Sequence, residues 1–214
     1  MELLKRFFEP VDMTEGAPWK KIVLFTLPML VGNIAQQLYN TVDSVVVGNY
    51  VGDNALAAVG SAGPILNLLI VLFVGISVGA GIMVSQYFGA RNREELSKTI
   101  GNCITLTGIA TLFVMVVASL VARPLLELLD TPESIIDWCH SYLLIMFIGC
   151  VGLAFYNILS GVLRGLGDSM SALLYLLVST LLNIVLDIVF VANLNMGVNG
   201  VALATVIAQL ISAL

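Results

Sequence analysis

Long apolar segments alternate with short polar breaks along the whole chain. Six such segments cover residues 22–47, 55–84, 100–121, 141–163, 173–192 and 198–214. A membrane-spanning helix needs about 20 apolar residues, whereas a membrane barrel is built from alternating strands of about ten residues. The pattern therefore predicts an all-α membrane protein, with a bundle of six transmembrane helices over residues 22–214.

Composition agrees with this prediction and excludes several other classes of protein. Of the 214 residues, 59% are hydrophobic and only 11% are charged, whereas soluble domains carry about 25% charged residues. The chain has nine Lys and Arg residues and fourteen Asp and Glu residues. Because this net charge is negative, nucleic acid is not an expected partner. Neither a phosphate-binding glycine loop nor a nucleophile with its base occurs, so we expect no enzyme and no cofactor beyond a coupling ion.

The basic residues indicate how the chain is oriented in the membrane. Eight of the nine precede the first segment or follow the second or fourth segment: Lys5, Arg6, Lys20, Lys21, Arg91, Arg93, Lys98 and Arg164. Only Arg123 falls on the other side, so the positive-inside rule predicts a cytoplasmic N-terminal segment over residues 1–21. Apolar residues at helical spacing between Leu3 and Val11 favour a short helix on the membrane surface within it.

Two aspartates interrupt the apolar segments, whereas the other twelve acidic residues lie in the tail or the breaks. Asp43 is near the end of the first segment, and Asp187 is within the fifth. A charge at the centre of a spanning helix costs about 2.5–3.5 kcal/mol on insertion scales. A structural role as protonated or hydrogen-bonded groups is one explanation. We favour an ion or proton site that faces a cavity.

Other polar side chains share a helix face with each aspartate. In the first segment they form a stripe about 120° wide: Asn33, Gln36, Gln37, Asn40, Asp43 and Ser44. In the fifth segment Ser179, Asn183 and Asp187 follow one another at intervals of four residues. Their oxygens suit a hard monovalent cation or a proton relay. Asn157 and Thr205 carry further oxygens, which the sequence alone does not bring to the same place.

Four stretches of the chain are similar to motifs of one transporter family. They read LPMLVGNIAQQLYNTVDSVVVGNYVG from residue 27, SQYFGARNREE from residue 85, FYNILSGVLRGLGDS from residue 155 with NIVLD from residue 183, and GVNGVALATVIAQ from residue 197. In this order they resemble the N-terminal half of a MATE (multidrug and toxic compound extrusion) transporter. The resemblance extends over essentially the whole chain.

This resemblance implies a fold like the N-lobe of a twelve-helix transporter, in which two six-helix lobes face a central cavity. It implies export of cationic drugs and xenobiotics across the plasma (inner) membrane in exchange for H⁺ or Na⁺. It also implies a cation or proton site, able to hold Na⁺, formed by Asp43, Asn183, Asp187 and Thr205. Gln36, Asn40 and Asn157 would line the cavity that holds the substrate.

The resemblance covers one lobe, and its sixth segment ends at Leu214 without a polar flank. We therefore expect a fragment with a truncated sixth helix, whose partners are membrane lipid and the missing C-terminal lobe or a second copy. One alternative is a lipid-linked oligosaccharide flippase of the same superfamily, which would be expected to carry several cavity arginines or lysines for a pyrophosphate. The predicted spans contain none. Another alternative is a membrane fragment or subunit that does not transport.

Overall fold

The computed structural model describes residues 17–214, and this part of the chain forms helices and no strands. In chain order the α-helices are α1 (Pro18–Tyr50), α2 (Asp53–Gly89), α3 (Arg93–Leu128), α4 (Glu133–Ile148), α5 (Cys150–Gly165), α6 (Ser169–Asp187) and α7 (Gly197–Ala213). A π-helical segment, Ile188–Asn193, continues α6. The prediction of an all-α protein is confirmed. The surface helix predicted between Leu3 and Val11 lies outside the described residues.

Four of the described helices are long and apolar enough to cross a membrane, namely α1, α2, α3 and α6 with its π-helical segment. The fourth predicted segment was wrong as a single straight helix, because the chain breaks at Gly149 and α4 and α5 meet at a bend of 49°. Counted together as one span, the pair is long and apolar enough to be a fifth. The sixth predicted segment forms α7, whose 17 residues fall short of the roughly 20 that a full crossing requires.

A three-residue turn over residues 166–168 joins α5 to α6. Gly167 has a φ of +87°, a backbone conformation that glycine adopts without a steric penalty. The Asp168 carboxylate then accepts a hydrogen bond of 2.9 Å from the Ser171 amide and caps α6. The turn places the end of α5 beside the start of α6.

Helices α2 and α5 cross at backbone contact distance. A Cβ atom at Gly161 would lie 2.6 Å from the Ser77 carbonyl oxygen, and one at Gly165 would lie 2.7 Å from the Gly81 carbonyl oxygen. The Ser77 hydroxyl donates a hydrogen bond of 2.6 Å to the Asn157 carbonyl oxygen at the same crossing. Glycine is therefore required here because any side chain would separate the two helices.

Gly161→Ala is expected to lower the free energy of unfolding by about 1–3 kcal/mol, the usual cost of overpacking. The added methyl group would collide with Ser77, whose backbone is fixed within α2. A denaturant titration in detergent micelles measures the change. Gly79→Ala is the matched control, because no atom lies within 4 Å of a Cβ atom at that position. Equal stability of the two variants would contradict a close crossing.

Helix α1 lies at the edge of the bundle and packs mainly against α6. Gly32 of α1 fits against α6, since a Cβ atom there would lie 3.1 Å from a methyl carbon of Leu176. Large apolar side chains such as Trp19, Leu24 and Leu38 are exposed on α1. Much of its apolar surface is therefore left uncovered, while its polar stripe lies beside a cavity.

Candidate functional site

A cavity of about 360 Å³ lies between α1 and the helices α2, α4, α5, α6 and α7. The polar stripe of α1 lines it through Asn33, Gln36, Asn40 and Asp43. Apolar residues form much of the remaining wall: Leu66, Leu69, Ile70 and Val74 from α2, and Leu173 and Leu176 from α6. The predicted cavity residues Gln36, Asn40 and Asn157 all lie in this lining.

The four residues predicted to form a cation site come together where Asp43 and Thr205 line the cavity. Asn183 and Asp187 are buried outside the lining and interact with Thr205 and Asp43. Asp43 of α1 and Asp187 of α6 interact directly, although 144 positions separate them in the sequence (187 minus 43). Asn183 lies one turn before Asp187 on α6, and Thr205 is contributed by α7. Asp187, Asn183 and Thr205 are buried, with at most 4% of their surface exposed.

Thr205 connects three helices through its hydroxyl oxygen. That oxygen accepts a hydrogen bond of 3.2 Å from the Tyr39 hydroxyl and one of 3.3 Å from the Asn183 side-chain nitrogen. The second bond fixes which way the Asn183 amide points, because the nitrogen is directed to Thr205. The Asn183 amide oxygen therefore remains available to another partner.

Four buried oxygens at this site have no hydrogen-bond donor among the described residues. They are Oδ1 of Asp43, Oδ1 of Asn183, and Oδ1 and Oδ2 of Asp187. Buried polar atoms in proteins are nearly always satisfied, and an unsatisfied one costs about 1–3 kcal/mol. A cation bound between the carboxyl groups, or protons on them, would remove that cost.

The types of these oxygens limit what the site can bind. Carboxylate, amide and hydroxyl oxygens are ligands for hard cations, and the residues present fit a monovalent ion such as Na⁺ or a proton. Among residues 17–214 no group of three or more His, Cys, Asp and Glu side chains could hold a metal ion. A zinc site, which uses mainly His and Cys ligands, is therefore not indicated in this part of the chain.

Asn157 lies in the cavity wall but outside this hydrogen-bonded group. Its side-chain nitrogen donates a hydrogen bond of 2.7 Å to the Leu153 carbonyl oxygen within α5. Sequence reasoning missed Tyr39 and Tyr142, which both line the cavity and interact with the two carboxyl groups. Tyr39 stands four residues before Asp43, a helical spacing that could have revealed it. Nothing in the sequence around Tyr142 points to the site.

The sequence also placed Arg164 in a loop, and this was wrong. Helix α5 continues to Gly165, and Arg164 lines the cavity. Its Nε atom donates a hydrogen bond of 3.1 Å to the Ser160 carbonyl oxygen, one turn earlier in α5. The apolar segment ends at Leu163, but the helix continues for two residues, and the long side chain turns back along it. One basic residue therefore lines a cavity that was expected to have none.

Comparison with known proteins gives consistent matches. The sequence model of the MatE family matches residues 28–189. The "Probable multidrug resistance protein YoeA" of Bacillus subtilis is 34% identical over 196 residues, which are 90% of this chain and 42% of that protein. The multidrug export protein MepA of Staphylococcus aureus is 27% identical over 197 residues, which are 92% of this chain and 44% of that protein. The chain thus spans less than half the length of these relatives.

Solved structures agree with the sequence comparisons. A MATE transporter in the bent conformation has a TM-score of 0.86 and 30% identity, with 92% of this chain and 44% of that chain covered. A MOP superfamily transporter from Pyrococcus furiosus, described for the reverse polarity of its binding pocket, has a TM-score of 0.88. It is also 30% identical, with the same coverage of both chains.

Proposed function

Because this chain belongs to the MatE family and is a multi-pass membrane protein, we propose that it forms the ion-binding lobe of an exporter that exchanges organic cations for Na⁺ or H⁺. The observation that carries this proposal is the set of four buried oxygens without a donor around Asp43 and Asp187. Asp43, Asn183, Asp187 and Thr205 would hold the coupling ion, and no other cofactor is needed.

The proposal assigns residues 22–214 to one transporter lobe and residues 1–21 to a cytoplasmic segment of a plasma-membrane protein. The support for this orientation is the excess of Lys and Arg on one side of the spans. A lobe of this kind needs a second one, because alternating access requires two repeats that move against each other around the site. The C-terminal lobe or a second copy of the chain would supply it.

Coupling between ion and substrate would arise inside the shared cavity. The ion would bind at Asp43 and Asp187, and an organic cation would bind along the stretch lined by Gln36, Asn40 and Asn157. An ion or proton bound at the carboxyl groups lowers the negative charge of the cavity, which weakens its attraction for a second cation. Two ligands that weaken each other's binding in this way have the reciprocal coupling that an exchanger requires.

Binding of the organic cation tetraphenylphosphonium to the purified chain in lipid nanodiscs tests this function. We expect its affinity to fall about tenfold, within the usual range of coupling energies, either when sodium replaces choline or when the pH is lowered. The condition that lowers the affinity identifies the coupling ion. An affinity that is the same under all these conditions would contradict an ion-coupled exporter.

Of the two alternative functions, the flippase has less support from the structure. A flippase for a pyrophosphate-linked substrate would be expected to need several basic cavity residues, and Arg164 alone lines the cavity among the described residues. A lobe without transport of its own is consistent with a chain that covers less than half the length of its relatives. Substrate transport by the purified chain in liposomes would exclude this second alternative.

A further inference from the structure

The cavity carries charge at both ends, and the charge at the second end is positive. Asp187 is the last residue of α6, whereas Arg164 precedes the turn that leads into Ser169, the first residue of α6. The 19 residues of α6 rise about 27 Å. Arg164 and Ser169 both line the cavity. The basic residue therefore marks a place in the cavity separate from the ion site.

Most of the hydrogen-bonding capacity of Arg164 is unused by the protein. An arginine side chain has five N–H donors, and the Nε atom of Arg164 donates to the Ser160 carbonyl oxygen. No Asp or Glu among residues 17–214 forms an ion pair with it. Asp168, which is nearest in sequence, accepts a hydrogen bond from the Ser171 amide instead. Nη1 and Nη2 therefore remain available to a ligand.

The wall around Arg164 suits a carboxylate group that is attached to an apolar body. Ser160 and Ser169 are buried, and both add a hydroxyl group to this part of the lining. Leu173 and Leu176 follow on α6 toward the middle of the cavity. A planar guanidinium recognises a carboxylate through two parallel hydrogen bonds, which gives this pair both strength and a defined orientation.

We propose that Arg164 binds a carboxylate group of the transported molecule, so that the cavity selects organic cations that also carry a carboxylate. This inference rests on the proposed function, because it takes the cavity to be the substrate site. The carboxylate would occupy the end of the cavity far from Asp43 and Asp187. Substrate and coupling ion would therefore not compete for the same oxygens.

Two other roles for Arg164 make different predictions. A cation near a helix C-terminus interacts favourably with the last carbonyl groups, and Arg164 lies in the last turn of α5. Such a role does not depend on the charge of any ligand. A role in holding lipid headgroups uses the same guanidinium chemistry, but it depends on the composition of the membrane.

A pair of fluorescent dyes distinguishes these roles. One is a cationic rhodamine with a free carboxylate on its phenyl ring, and the other is the methyl ester of the same dye. Fluorescence anisotropy measures the affinity of each dye for the full chain in phosphatidylcholine nanodiscs. We expect Arg164→Gln to lower the affinity for the acid relative to the ester by about tenfold, because a charge-assisted hydrogen bond is lost.

Two variants complete the design. Arg164→Lys keeps the charge without the planar fork, so it is expected to retain part of the preference for the acid. Arg123→Gln removes an exposed arginine whose partners are Glu127 and Asp137, outside the cavity lining. It is expected to keep the wild-type ratio of the two affinities.

Each result supports or overturns the carboxylate site. An unchanged ratio in Arg164→Gln, with the ester still bound, overturns it and leaves the proposed function intact. Failure of both dyes to bind the wild-type chain contradicts the proposed function and this inference together. A preference for the acid that disappears in phosphatidylglycerol nanodiscs assigns Arg164 to lipid headgroups and overturns a substrate site.

Discussion

Asp187→Asn is expected to weaken ion binding by this chain and to abolish ion-driven drug efflux by the transporter that contains it. Two of the four buried oxygens without a donor belong to Asp187. Asparagine has nearly the same shape, so the cavity keeps its form but loses one of its two carboxyl groups. Without that negative charge, we expect the affinity for the coupling ion to fall at least about tenfold, which corresponds to about 1.4 kcal/mol. Radioactive sodium measures this loss where the nanodisc experiment identifies Na⁺ as the ion.

Equilibrium binding of sodium and drug efflux from cells measure this effect at two levels. Asp137→Asn is the matched control, because it makes the same chemical change at an exposed residue that pairs with Arg123. It is expected to behave as the wild type in both assays. Full efflux by an Asp187→Asn protein that is expressed at the normal level would refute the ion site.

Asp43→Asn is expected to lower the affinity for the ion about as much as Asp187→Asn does. The double variant is expected to bind the ion about as well as the single variant with the lower affinity. The reason is that one ion would be held jointly by the two carboxyl groups, so removing either one disables the site. Residues that act as a unit give strongly non-additive losses. Equilibrium dialysis of the two single variants and the double variant provides the complete cycle.

Additive losses in this cycle would indicate two independent sites and would contradict a shared ion. Asn40→Ala is a useful comparison on α1, because Asn40 lines the cavity three residues before Asp43. Its side chain bonds to Gln37 on the same helix. Its loss is therefore expected to leave sodium binding close to that of the wild type.

The periodicity of the sequence predicted a polar face of α1, and four of its six residues line the cavity, whereas Gln37 and Ser44 do not. Residues three or four positions apart share a helix face, and Asn33, Gln36, Asn40 and Asp43 all line the cavity. Periodicity within one helix does not determine which other helix lies opposite, so it could not show that Asp43 meets Asp187. The contribution of Thr205 likewise depends on how α7 packs, and only the family resemblance pointed to it.

Helix breaks and close crossings were harder to predict. The spacing G-x-x-x-G occurs at residues 48–52, 75–79 and 161–165. Only in the last pair would a Cβ atom at both glycines collide with another helix, and nothing lies within 4 Å of a Cβ atom at Gly75 or Gly79. The spacing places two glycines on one face without showing what that face meets. Pro28 and Pro64 lie inside continuous helices, whereas the bend occurs at Gly149. Hydropathy averages over such a break because the residues on both sides are apolar.

The edge position of α1 has a consequence for how the lobe is held together. Of the residues of α1 whose burial is described, only Gly32, Val46 and Val47 are buried, yet this helix provides Asp43. An ion shared by Asp43 and Asp187 would tie α1 to α6, and a ligand that binds only the folded form adds RT ln(1 + [L]/Kd) to stability. The coupling ion would then contribute to the free energy of unfolding of the lobe, in addition to driving export. Without the ion, α1 would separate from the bundle before any other helix. The ion concentration of the medium would therefore determine how stably α1 packs against α6.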